Sequence, residues 1–133
     1  MSSNMSPERT HSRMLTGACH CGAIRIDVSE PPQSLIECNC SICRRNGALW
    51  AIYVGGTVRV TGHPEHTTAY IWGAKTIKTL RCSSCGCVTH WESLLPDSGG
   101  RIGVNMRNFD PVMIKAIQIR RFDGAGTWSY LDG

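Results

Sequence analysis

Cys38-Asn39-Cys40-Ser41-Ile42-Cys43 places three thiols within six residues, and this stretch decides how the rest of the chain is read. Three thiolates on one tight turn can hold a zinc ion and leave its fourth tetrahedral position free for a solvent or substrate atom. The remaining sequence then reads as a scaffold around that open metal, with a second, closed zinc site of its own.

Outward from this turn, Cys82-Ser83-Ser84-Cys85-Gly86 is a zinc knuckle. Its Cys-x-x-Cys turn aims two sulfurs at one point, and the glycine after it accepts the backbone twist that lets amide N–H groups reach them. One knuckle is half a tetrahedron. Cys19-His20-Cys21-Gly22 supplies the other half, because residues i and i+2 of an extended chain face the same way. Cys19, Cys21, Cys82 and Cys85 are therefore expected to hold a structural zinc. It clips the start of the domain to its middle across about sixty residues, a loop that is costly to close. His20, between two ligands, is expected to point away.

Cys38, Cys40, Cys43 and Cys87 remain. The first three are expected to hold the second zinc, the catalytic one; the alternative is a closed site completed by Cys87 or a histidine. Cys87 follows Cys85 by two residues and otherwise reads as a small buried hydrophobe. Zinc with three thiolates is a poor water activator, yet it is soft enough to bind an incoming thiol as thiolate. Trp50 and Tyr53 are expected to shield it. Arg44 and Arg45 either hold a substrate carboxylate or lie on a solvated face.

At 133 residues the chain fits one domain, read as 14–133 after a polar tail over 1–13. That tail has no apolar run resembling a signal peptide, so eight cysteines imply a reducing, cytoplasmic setting and metal ligation rather than disulfides. A net charge of +4 without a dense basic run argues against nucleic acid, and no apolar stretch is long enough to span a membrane. The 14 Gly and 6 Pro favour short strands and many turns. Strands are predicted over 23–28, 48–54, 57–61, 67–72, 76–81, 88–91, 101–106 and 114–122, with Gly55-Gly56 as a hairpin turn and one helical turn over 41–46 stopped by Gly47. No sustained helical period appears, so the fold is expected to be all-β.

These motifs, in this order, resemble the glutathione-dependent formaldehyde-activating enzyme family, which includes centromere-protein-V-like domains. The resemblance rests on Gly17-Ala18-Cys19-His20-Cys21-Gly22, on Cys38-x-Cys40-x-x-Cys43-Arg44 and on Cys82-x-x-Cys85-Gly86. Looser agreement comes from Tyr70-x-Trp72, Val104-Asn105-x-Arg107 and Phe122-Asp123-Gly124. It implies a β-tent of short antiparallel strands organised around zinc, structural zinc on Cys19, Cys21, Cys82 and Cys85, and catalytic zinc on Cys38, Cys40 and Cys43. The implied activity is that of a carbon–sulfur lyase condensing glutathione with formaldehyde to S-hydroxymethylglutathione. His20, His90 or water is the expected acid for the alkoxide. The rival reading is a zinc-stabilised module that binds a thiol or a protein partner without turnover.

Overall fold

The computed structural model describes residues 14–97 and 99–131; the tail expected over 1–13 lies outside the described residues. Among the described residues ten strands run in chain order: β1 Leu15–Ala18, β2 Arg25–Val28, β3 Leu35–Cys38, β4 Trp50–Tyr53, β5 Val58–Thr61, β6 Thr67–Tyr70, β7 Ile77–Cys82, β8 Val88–Ser93, β9 Ile102–Asn105 and β10 Ile119–Phe122. Helices among the described residues are confined to α1 Ser41–Asn46, a 3-10 turn Met106–Asn108 and α2 Pro111–Ile114. The architecture is all-β, as expected. No helix among the described residues is long and apolar enough to cross a membrane.

Two sheets form, one of order β1-β2-β5 and one of order β10-β3-β4-β9-β8-β7-β6. In the smaller sheet Ile26 and Val28 are buried while Arg25 and Asp27 of the same strand turn outward, the two-residue alternation of a half-buried strand. The outward side chains bind one another, with Thr16 Oγ1 donating to Asp27 Oδ1 at 2.7 Å and Arg25 Nε to the same oxygen at 3.2 Å. Leu35, Ala51, Tyr53 and Val104 of the larger sheet join Ile24, Ile26 and Val28 in one core, closed by Met106 and Phe109. Every buried side-chain polar atom among the described residues has a partner. Asn105 illustrates how: its Oδ1 accepts from Leu49 N–H at 3.2 Å and its Nδ2 donates to Val88 O at 2.9 Å.

Three expectations are corrected. The Gly55-Gly56 hairpin does not form, because β4 and β5 enter different sheets: Val58 and Val60 register with Val28 and Ile26 of β2, while Gly55 N–H donates to Gly99 O at 3.0 Å. The strand predicted over 114–122 begins only at Ile119; Asp110 caps Pro111–Ile114, its Oδ1 accepting from Val112 N–H at 3.0 Å. Finally, β10 lies parallel to β3, with Phe122 opposite Cys38, while every other strand pair among the described residues is antiparallel. Parallel strands finish at the same end. The turn after β10 therefore meets the thiol turn after β3.

Candidate metal centre

Each cysteine motif folds locally as its spacing demands. Gly22 and Gly86, one after each half-site, take φ of 84° and 81°, a left-handed conformation that a side chain would resist. With those twists in place, Ile24 N–H points at Cys19 Sγ (3.3 Å) and Cys85 N–H at Cys82 Sγ (3.5 Å). The four sulfurs of Cys19, Cys21, Cys82 and Cys85 converge within 4.8 Å of one another. Adjacent pairs stand 3.8 Å apart (Cys19–Cys21) and 3.6 Å apart (Cys21–Cys82), far longer than the ~2.05 Å of a disulfide. All eight cysteines are unbridged. N–H groups aimed at Cys85, first from Cys87 and then from Cys21, hold its thiol down to about 5 against the opposing effect of desolvation. A preformed thiolate in a ring of four sulfurs fits a soft divalent cation.

Cys38, Cys40 and Cys43 form a second group within the same 4.8 Å limit, and no fourth Cys, His, Asp or Glu among the described residues joins them. Cys40 is both a member and the cap of α1: its sulfur accepts from Cys43 N–H at 3.5 Å, and Cys38 Sγ accepts from Cys40 N–H at 3.5 Å. Trp50 Nε1 donates to Cys43 Sγ at 3.3 Å. The hydrogen bond from Cys43 is the main reason that Cys38 sits well below an ordinary thiol, at about 6, with desolvation opposing it. Cys43 is pushed up in return, first by Cys38 and then by burial. A cation of matching softness would displace the thiol protons of this group.

The turn after β10 closes one side of this group. Asp123 Oδ1 accepts from Asn39 Nδ2 at 2.9 Å, and Asn39 Oδ1 accepts from Ala125 N–H at 3.0 Å. Asp123 Oδ2 accepts from Thr127 N–H and Oγ1 at 2.9 and 3.0 Å. These bonds press Gly124 against the sulfurs, so that a Cβ there would lie 2.7 Å from Cys38 Sγ and 3.2 Å from Cys40 Cβ. The other side is a cavity of about 340 Å³ whose wall includes Cys38, Cys43, Arg44, Arg107, Arg121 and Glu37.

The cavity separates residues that the sequence left together. Arg44 lines it and has no side-chain partner among the described residues, whereas Arg45 turns back to donate to Ser41 O at 2.8 Å. Arg107 is held at the rim by Nε donating to Gly47 O at 2.9 Å, and Arg121 is paired with Glu37 at 3.2 Å. Trp50 shields the sulfurs as expected. Tyr53 does not: three residues along β4 it faces the opposite way, and its hydroxyl donates to Glu30 O at 2.9 Å. Cys87 belongs to neither sulfur group; it is half-buried beside Cys85 and packs on the core. Neither His20 nor His90 lines the cavity. His20 is exposed, while His90 is fully buried and hydrogen-bonded to Thr89 and Glu92. Asn39 and Arg107 were missed as site residues. The unassigned middle position of Cys-x-Cys and the Val104-Asn105-x-Arg107 match were the available signals.

Comparison with known proteins gives the family. Residues 14–118 match the family model described as glutathione-dependent formaldehyde-activating enzyme. A Halomonas elongata protein provisionally given that same name is 44% identical over 63 residues, 43% of this chain. That match spans 40% of the relative's own length. A crystal structure of a Rhodobacter sphaeroides protein superposes with a TM-score of 0.64 at 31% identity, covering 79% of this chain and 99% of that one.

Proposed function

The chain belongs to the glutathione-dependent formaldehyde-activating enzyme family, and from that premise we propose that it is a zinc-dependent carbon–sulfur lyase. It condenses glutathione, or a similar thiol, with formaldehyde or another small aldehyde to an S-hydroxymethyl adduct, a detoxifying reaction. One observation carries the reading: three converging sulfurs, with no fourth protein donor among the described residues, sit on the wall of a cavity whose rim carries arginines.

In this reading Cys38, Cys40 and Cys43 hold the catalytic zinc, and Cys19, Cys21, Cys82 and Cys85 the structural one. Zinc on three thiolates supplies a soft position at which an incoming thiol loses its proton. Arg44, which has no side-chain partner among the described residues, takes a substrate carboxylate at the cavity, and Arg107 lines the same cavity. Trp50 Nε1–H and the N–H groups of Cys40 and Cys43 spread the charge of the sulfurs. Gly124 leaves room for Cys38 to keep its orientation. The new C–S bond leaves an alkoxide that takes its proton from water, since neither candidate histidine reaches the cavity. Eight unbridged cysteines suit the reducing cytoplasm.

That neither His20 nor His90 lines the cavity also favours a second reading, a zinc-stabilised module that binds a thiol or a protein partner without turnover. NMR detection of hydroxymethyl adduct formation from glutathione and formaldehyde, with and without protein, separates the two. Acceleration supports the enzyme. No acceleration at any pH, with both zincs bound, leaves the binding module.

A further inference from the structure

A third group of donors lies outside both sulfur clusters. Along β8 the side chains alternate, so His90 and Glu92 share a face, and the loop between β5 and β6 lowers His63 onto them. Glu92 Oε2 lies 2.9 Å from His63 Nε2 and 3.0 Å from His90 Nε2, and the two rings meet edge to face with centroids 5.0 Å apart.

The far side of each ring is also built. His63 Nδ1 meets Thr67 Oγ1 at 2.7 Å, and His90 Nδ1 meets Thr89 Oγ1 at 3.0 Å. Each hydroxyl has a backbone carbonyl as its second partner: Pro64 O at 3.4 Å for Thr67, Leu80 O at 3.3 Å for Thr89. A hydroxyl has one proton to donate and can still accept, so each threonine is a two-position rotor. Turned to the ring, it donates to Nδ1, and Nε2 keeps its proton and donates to Glu92. Turned to the carbonyl, it accepts from Nδ1–H, and Nε2 presents a bare lone pair toward the carboxylate. In that second setting two nitrogens and an oxygen converge within 4.8 Å with no proton between them, an arrangement that a cation would satisfy.

We propose that His63, His90 and Glu92 form a further metal site, which takes a divalent first-row transition ion such as zinc through the two Nε2 atoms and a Glu92 carboxylate oxygen. Two imidazoles and a carboxylate are an established donor set for such ions, harder than the thiolate clusters and therefore selective for a different pool. The two threonines fix the ring orientation and the tautomer, as carbonyl or carboxylate partners do for metal-bound histidines elsewhere. His90 is wholly buried, but the side chains of His63 and Glu92 are 17% and 29% exposed, which leaves the trio reachable from solvent. Donors at ~2.0–2.1 Å from zinc in a tetrahedron stand roughly 3.3 Å apart, so the trio opens by a few tenths of an ångström on binding. Lys78, directly opposite Glu92 in the strand register, holds the other carboxylate oxygen at 3.4 Å and competes with the ion. No proton leaves the protein: each ring keeps one, moved from Nε2 to Nδ1 as its threonine hydroxyl turns.

The test uses the full chain with its thiolate clusters already zinc-loaded, titrated with further zinc. Native mass spectrometry counts ions, and long-range proton–nitrogen NMR of the histidine rings reports the tautomers. The expected result is one more ion on the wild type than on Glu92→Gln or His63→Gln, with His63 and His90 both switching from Nε2–H to Nδ1–H. Lys78→Met should bind the added ion severalfold more tightly. Rings that keep Nε2–H throughout the wild-type titration, with no added ion, would overturn the proposal and leave the trio as a polar tie between loop and sheet. The wild-type NMR decides the matter even if a ligand variant fails to fold.

Discussion

Replacing Gly124 by alanine adds one methyl group where the two chain ends meet, and its effect can be worked from distances. The new Cβ would sit 2.7 Å from Cys38 Sγ and 3.2 Å from Cys40 Cβ. Comfortable non-bonded separations are ~3.5–4.0 Å, so about 1 Å must be found. Backbone strain does not enter, because Gly124 is not among the left-handed glycines. The turn cannot easily retreat: Asn39 and Thr127 hold Asp123, and Ala125 N–H is bound to Asn39. Each such bond is worth roughly 1 kcal/mol net. The sulfur moves instead, and a Zn–S bond of ~2.3 Å does not tolerate a displacement of that size. Overpacking costs about 1–3 kcal/mol, which is roughly 5- to 150-fold in metal affinity. Competition against a chromophoric chelator measures it, and the four-cysteine group serves as an internal control that should hold its ion unchanged. Wild-type affinity for both ions in Gly124→Ala would refute the claim that this turn positions Cys38.

Other substitutions separate the roles of the two clusters. Cys40→Ala should fold and lose one zinc of two by native mass spectrometry, whereas Cys85→Ala should unfold or melt far lower, because its cluster ties β1 to β7. Arg44→Gln should raise KM for glutathione about tenfold with kcat little changed, the signature of lost ground-state binding to a carboxylate; a fall in kcat alone would contradict that role. In zinc-depleted protein, alkylation at pH 7 should label Cys38 before Cys43. The folded value of Cys38 is depressed, so its thiolate persists at pH 7; the stability it contributes is complete above the ordinary thiol range and is lost as pH falls through about 6. Peptide mapping of the alkylated protein reads this directly, and equal labelling of both thiols across that range would contradict the claim that Cys38 is the more acidic of the two.

The sulfur groups were legible in the sequence because their information is local. Cys-x-x-Cys-Gly and Cys-x-Cys-Gly each specify a turn, a twist and two converging sulfurs within five residues, and Gly22 and Gly86 carry that twist. What was not legible depends on distant pairing. Gly55-Gly56 has the composition of a hairpin turn, but Val58 and Val60 find β2 across the fold instead, and that choice is written in no local stretch. The parallel seating of β10 on β3 likewise escapes a strand-by-strand reading, although it delivers Asp123 and Gly124 to the thiol turn. Arg44 and Arg45 are adjacent in sequence and part company only because neighbours on a helix face different directions. Likewise, the approach of His63 to His90 and Glu92 depends on a crossover between sheets.

Cadmium substitution followed by cadmium NMR tests the account at its centre, because the resonance position reports how many sulfurs bind each ion. Two resonances are predicted for the protein without glutathione: one in the four-sulfur range, indifferent to added thiol, and one short of it. Glutathione should carry the second into the four-sulfur range. Two four-sulfur resonances before any thiol is added would contradict the account.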